Sequence, residues 1–254
     1  MLDAYRVFDS HIHIIDGRFP LIPNDGYLPP TFTCADYLER MSRYRLCGGA
    51  IVSGSFQGFD QSYLTAALQG LGGAFVGVTQ LTDAVSDDEV VRLSEAGVRA
   101  LRFNLKRGGT QAISQLSRLA HRVHEIARWH VEIYADALVL PDLYTTLIAL
   151  PAVSIDHLGL SRAGFAWVVR LAEKGVRVKA SGFGRVDFDV AAALKAVYTA
   201  NPDALMFGSD LPSTRAPRPY SDGDFLLVGN TLGDHAARRV FSDNAIAFYQ
   251  PRTL

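Results

Sequence analysis

The chain has 254 residues, 48% hydrophobic and 20% charged, with a formal net charge of −1. This composition supports a substantial core, and no basic run or acidic tail points to nucleic acid or a membrane surface as the main partner. No apolar run reaches the roughly 18 residues of a membrane span; Cys34 and Cys47 are too few for a disulfide framework and lack zinc spacing, and without a signal-like opening a reducing cytoplasm is the default expectation.

Taken from the N-terminus, short β-branched runs alternate with amphipathic segments. The first run is "YRVFDSHIHI" (5–14), followed by "GGAIVSGS" (48–55), "GAFVGVTQ" (73–80) and "VRALRFN" (98–104). Then come "HVEIYAD" (130–136), "AVSIDHL" (152–158), "VRVKASG" (176–182) and "ALMFGSD" (204–210), making eight. Helical patterns fill the intervals at 34–46, 60–71, 86–97, 111–129, 141–150, 162–175 and 189–201. The third of these is the most explicit. Ser86 can cap it, Glu89 completes a capping box, and Gly97 ends it. The proline-rich stretches at 19–30 and 210–220 read as loops directly after strands. No repeat and no linker divides the chain.

Near-continuous apolar strands alternating with helices predict a parallel sheet covered by helices. Eight such units predict an α/β fold, a (β/α)8 TIM barrel forming one domain over 1–254. A doubly wound sheet is the rival, but no glycine-rich phosphate loop follows the first strand.

In a barrel, chemistry collects at the C-terminal ends of the strands. Strand 1 ends in Asp9, His11 and His13; strand 4 in Arg102 and Asn104, with Lys106 and Arg107 following. Strand 5 ends in Tyr134 and Asp136, strand 6 in Asp156 and His157, and strand 8 in Ser209 and Asp210; Ser181 and Arg185 follow strand 7. His11 and His13 share parity, so both imidazoles can face the barrel mouth. Asp9 has the same parity but lies deeper, which suggests that it orients a histidine. Any of these polar groups can instead be structural: a histidine bonded to a loop carbonyl, or Asp210 as a turn residue. Arg102, inside an apolar strand, requires an anion, either a protein carboxylate or an acidic substrate. His121, His124 and His130, on and just after the long fourth helix, are expected to face outward, as is His235. Cys34 and Cys47 are expected to pack.

Three of these elements, "FDSHIHI", "IDHLG" and "FGSDLP", resemble the signatures of the amidohydrolase superfamily in its second large sequence family. Within it the chain is most similar to the 2-pyrone-4,6-dicarboxylate hydrolase and lactonase subgroup, over nearly its whole length. "DEVVRLSEAGVRALRFNLKR", "HVEIYAD" and "FSDNAIAFY" carry the rest of the likeness. The resemblance implies that Asp210 is the general base toward water and that His11, His13 and His157 surround the scissile carbonyl. It implies that Arg102, Arg107, Tyr134 and Arg185 hold the substrate's carboxylates and carbonyl oxygen. The partner is then a small anionic lactone, with self-association left open.

A binuclear member of the superfamily needs a bridging lysine or glutamate near strand 4 and a histidine on strand 5. This chain has Arg102, Asn104 and Tyr134 there, which argues against two ions. One divalent ion, most suitably zinc, fits His11, His13 and Asp210, with His157 as a further ligand. Three nearby arginines oppose a cation, so the expectation is that no cofactor is required. The chain departs from the subgroup after strand 8, where "GSDLPSTRAP" replaces the common "GTDWPHP", and in a strand 4 loop one residue shorter before Arg107. Leu211, Ser213 and Arg215 therefore alter the pocket rim, and lactone hydrolysis is the safer expectation than pyrone dicarboxylate itself. Alternatives are a zinc-dependent sugar lactonase or aromatic-acid decarboxylase, a lactone isomerase, and a non-catalytic barrel that binds acidic metabolites.

Overall fold

The computed structural model describes residues 2–107 and 113–253. Eight parallel strands pair in sequence order: β1 (Arg6–Ile12), β2 (Arg45–Val52), β3 (Phe75–Thr79), β4 (Val98–Asn104), β5 (His130–Tyr134), β6 (Val153–Ile155), β7 (Arg177–Ala180) and β8 (Leu205–Phe207). The seam between the last strand and the first is bridged just beyond β8, where Asp210 N donates to the His11 carbonyl and His13 N to that of Leu211, both at 2.8 Å. The (β/α)8 barrel predicted from the alternation is thus the observed fold. Among the described residues, no helix is long and apolar enough to cross a membrane.

The helices follow the predicted intervals: α1 (Cys34–Arg40), α2 (Ser62–Leu71), α3 (Asp87–Ala96), α4 (Leu116–Ala127), α5 (Leu140–Ile148), α6 (Phe165–Glu173) and α7 (Val190–Ala200). Residues 111–112, where the fourth is predicted to start, lie outside the described residues. At α3, the Ser86 side chain accepts from Glu89 N and Gly97 closes the helix at φ 110°. The reciprocal half of the predicted capping box is missing because the Glu89 carboxylate is drawn to Arg92, at 2.6 and 2.7 Å.

Two apolar layers result. The larger lies between strands and helices, with Val7, Leu101, Ile133 and Trp129 fully buried. The smaller fills the barrel, where Phe8, Val52, Val78, Ala100 and Met206 pack with Tyr249. Tyr249 belongs to α10 (Asn244–Tyr249), which follows α8 (Asp222–Leu232) and α9 (Asp234–Arg238). Its ring stacks on Phe8 at 5.6 Å, and its hydroxyl donates to Glu132, so α10 seals the N-terminal end of the barrel. His130 is not solvent-facing as the sequence suggests. As the first residue of β5 it is buried against Phe248 and Tyr249 in that seal, whereas His121 and His124 are part-exposed on α4.

Of the predicted strands that run too long, three move histidines or Asp210 off the sheet. β1 stops at Ile12, β6 at Ile155 and β8 at Phe207, so His13, His157 and Asp210 sit on the loops just past them. His157 and Asp210 have φ of 50° and 62°, a left-handed conformation that ends an extended strand and costs about 1–3 kcal/mol per residue. The turns bring the two side chains together, with His157 Nε2 4.0 Å from Asp210 Oδ1.

Candidate active site

Alternation along β1 breaks before the histidines. The pairing with β2 shifts register between Asp9 and Ile12. Phe8 faces the barrel interior, His13 lines the mouth and His11 is buried beside Asp210, but Asp9 falls on the other side. Its carboxylate accepts from Ser209 N at 2.8 Å, His11 N at 3.3 Å and the Tyr37 hydroxyl at 3.3 Å. Asp9 therefore ties the backbones of β1 and the β8 loop together and orients no imidazole. Simple parity fails because the bulge inserts a residue. Burial raises its pKa to about 6, although the bond from Ser209 opposes that.

His11, His13 and His157 converge on one atom. Their Nε2 atoms lie 3.9, 3.9 and 4.0 Å from Asp210 Oδ1. His11 Nε2 and Asp210 Oδ1 are both buried without a hydrogen-bond partner, a costly state that points to a reacting group between them. The other oxygen, Oδ2, accepts from Arg185 Nε at 2.6 Å. Burial raises the Asp210 carboxyl above its ordinary value while Arg185 pulls it down. All three imidazoles are pushed down by burial, His13 to about 3, and so are neutral. His13 Nδ1 lies 2.7 Å from the Val52 carbonyl. A carbonyl only accepts, so Nδ1 carries the proton and Nε2 faces the mouth as an acceptor. Its backbone partner thus makes His13 an acceptor, not a donor, toward anything in the mouth.

Beneath lies a buried ionic layer. Arg102 donates to Asp156 Oδ2 through Nη2 at 2.8 Å and Nε at 3.3 Å, and to the Ser53 carbonyl at 2.8 Å. Of the two anions that the sequence leaves open for Arg102, a protein carboxylate is present. Lys179 lies 2.5 Å from Glu132 and 3.5 Å from Asp156, all three fully buried. Burial pushes Asp156 up, but Lys179, His11 and Arg102 hold it well below the usual carboxylate range. A search of strand ends misses Lys179 and Glu132 because both lie mid-strand. Their signal is a charge set between apolar residues inside a strand, in "VRVKASG" and "HVEIYAD", which demands a buried partner.

The mouth is lined by Arg102, Arg107, Arg185 and Arg215, with His13, His157, Asn104 and Tyr134 among the others and, among the described residues, no carboxylate. Tyr134 stands edge-on to His157 at 5.2 Å, and the Arg102 guanidinium lies 5.1 Å from its ring centre. Asn104 Oδ1 accepts from Arg107 N at 3.0 Å and folds that loop toward the mouth. Arg215 bonds Asn24 and stacks on Tyr27 at 4.4 Å, joining the loops after β1 and β8. Asp136 and Lys106 pair with each other at 3.0 Å, apart from the mouth.

The donor chemistry suits one divalent ion. Among the described residues His11, His157 and Asp210 form a ligand group with atoms within 4.8 Å of one another; His13 lies outside this group, unlike in the set read from sequence. The surrounding charge is already balanced, since Glu132, Asp156 and Asp210 pair with Lys179, Arg102 and Arg185 among neutral imidazoles.

Gly182 keeps the site open. A Cβ there would lie 2.6 Å from His157 Nδ1 and 3.0 Å from Arg185 Cδ, on a backbone with φ of 58°. Gly182→Ala is expected to displace both side chains and lower kcat/KM about a hundred-fold. The far-UV spectrum should stay native; wild-type kinetics would show that the contact relaxes without consequence.

The chain resembles several known proteins. Over 156 residues, 59% of this chain and 51% of the relative, it is 30% identical to a 2-pyrone-4,6-dicarboxylate hydrolase of Comamonas testosteroni, so it spans about half the length of that curated relative. It is 27% identical to a 4-sulfomuconolactone hydrolase of Rhizobium radiobacter, across 93% of this chain and 87% of the relative. The crystal structure of a probable 2-pyrone-4,6-dicarboxylic acid hydrolase from Acinetobacter baumannii, with citric acid bound, superposes with a TM-score of 0.84 at 21% identity, covering 96% of this chain and 99% of the other, a likeness of fold. The amidohydrolase family model matches residues 8–250, and the chain belongs to that family.

Proposed function

We propose that the protein hydrolyses a lactone bearing two or more acidic groups, with Asp210 as general base toward water. The observation that carries this reading is the four-arginine mouth, with no lining carboxylate among the described residues, beside the unpartnered Asp210 oxygen. The relatives named for 2-pyrone-4,6-dicarboxylate and 4-sulfomuconolactone, both acidic lactones, support it. Bidentate arginine contacts suit planar carboxylates and fix the ring against the base.

In this mechanism Asp210 Oδ1 takes a proton from water as the water oxygen bonds to the lactone carbonyl carbon. Arg102 and Tyr134, at the pocket wall, stand where they can stabilise the oxyanion, a contribution of about 3–4 kcal/mol per well-placed donor. Collapse breaks the ring C–O bond, Asp210 returns its proton to the departing oxygen, and one water is consumed. An enolic or otherwise stabilised leaving group suits a carboxylate base, and an amide does not. If one divalent ion binds, His11, His157 and Asp210 would hold it, and it would supply Lewis acidity and a more acidic water. The balanced charge around the histidines favours turnover without it.

A panel of acidic and neutral lactones, assayed with and without chelator alongside metal analysis, tests this reading. Acidic lactones should be opened to acids at chelator-independent rates. Stoichiometric zinc required for turnover would replace the metal-free form with the mononuclear one, and decarboxylated or isomerised products would overturn hydrolysis. Among the described residues no carboxylate pairs with the Arg107 side chain. Arg107→Met should therefore raise KM for a dicarboxylate about ten- to a hundred-fold, the value of a charged hydrogen bond, with kcat little changed. An unaltered KM would remove Arg107 from substrate binding.

A further inference from the structure

One buried cation plays no part in the steps above. Lys179 is fully buried on β7 and does not line the mouth. Its Nζ lies 2.5 Å from Glu132 Oε2, 3.3 Å from His11 Nδ1 and 3.5 Å from Asp156 Oδ1. His11, Glu132 and Asp156 themselves form a group with ligand atoms within 4.8 Å, the spacing of a metal site. An ammonium has three protons; here Glu132 and His11 lie within hydrogen-bond reach, while Asp156 Oδ1 is an ion-pair contact at 3.5 Å and has no hydrogen-bond partner of its own.

We propose that Lys179 is a positioning residue that fixes the tautomer of His11, keeping the proton on Nε2. Two groups compete for His11 Nδ1. Lys179 can only donate to it at 3.3 Å, and Asp156 Oδ1 can only accept from it at 3.5 Å. The nearer ammonium, drawn in by Glu132, meets a bare Nδ1, so Nε2 becomes the N–H donor. His13 has the opposite tautomer, because Val52 accepts from its Nδ1. The two rings stand edge-to-face 5.0 Å apart and present one donor and one acceptor toward Asp210. A water molecule held there accepts from His11 and points its protons at His13 and Asp210, leaving a lone pair for the carbonyl carbon. Lys179 thereby also disfavours a metal, since a protonated Nε2 is no ligand.

The test is long-range ¹H–¹⁵N correlation of the imidazoles in the intact protein, with His13 as internal reference. Wild type should show His11 protonated at Nε2, and Lys179→Met should move the proton to Nδ1, where Asp156 accepts its hydrogen bond. The double variant Lys179→Met/Glu132→Gln removes one charge of each sign and should show the same shift if the single variant folds poorly. An Nδ1–H tautomer in wild type, or one tautomer throughout, would overturn the proposal. The kinetic effect rests on the lactonase reading: kcat should fall about ten- to a hundred-fold at constant KM. A raised KM with kcat intact would contradict a positioning role. The spectra do not depend on which substrate is turned over.

Discussion

Asp210→Asn is expected to reduce kcat by about 10²–10⁴-fold, the usual contribution of a general base. The amide retains the size of the carboxylate and can still accept from Arg185, so the arginines stay in place and substrate binding should remain measurable. The wild-type pH profile follows from the same group. Burial raises the Asp210 carboxyl above its ordinary value against the pull of Arg185. Activity is therefore full above that raised value and is lost as pH falls through it, and the variant should lack this limb. Isothermal titration with a slow substrate, alongside steady-state kinetics, separates binding from turnover. Near-normal kcat in Asp210→Asn would remove the general base.

The second large effect is on stability. Arg102→Met leaves the Asp156 carboxylate fully buried, with Lys179 as its remaining cation at 3.5 Å, and takes a donor from the Ser53 carbonyl. Removing one partner of a buried pair costs about 3–5 kcal/mol, and here neither side chain is more than 3% exposed. Denaturant unfolding should show a loss of that size. Arg102→Met/Asp156→Asn should recover part of it, because no unpaired charge remains. An unchanged midpoint would mean that Arg102 serves substrate alone.

The period of the apolar runs makes the barrel legible, because strand and helix alternate in register with composition. The histidines and Asp210 are legible too, as polar residues at the ends of apolar strands. What parity cannot reveal is a bulge: Asp9 changes face through a register shift that no residue type announces. Partners are equally hidden. Arg102 is visibly in need of an anion, but only the fold brings Asp156 to it from 54 positions away. Lys179 and Glu132 are 47 positions apart and make sense only as a pair. The tautomer of His13 depends on a carbonyl on β2 that sequence does not associate with it.

Hydrolysis of an acidic lactone by an arginine-lined site predicts a rate preference set by substrate charge. Its most direct test is kcat/KM of the wild-type protein for 2-pyrone-4,6-dicarboxylate against its dimethyl ester, with the products identified. The dicarboxylate, or another acidic lactone from the panel paired with its own ester, should be opened at least about a hundred-fold more efficiently, since each charged contact contributes about 1.5–3 kcal/mol. Equal rates for acid and ester, or no ring opening of any acidic lactone, would rule out an arginine-directed lactonase.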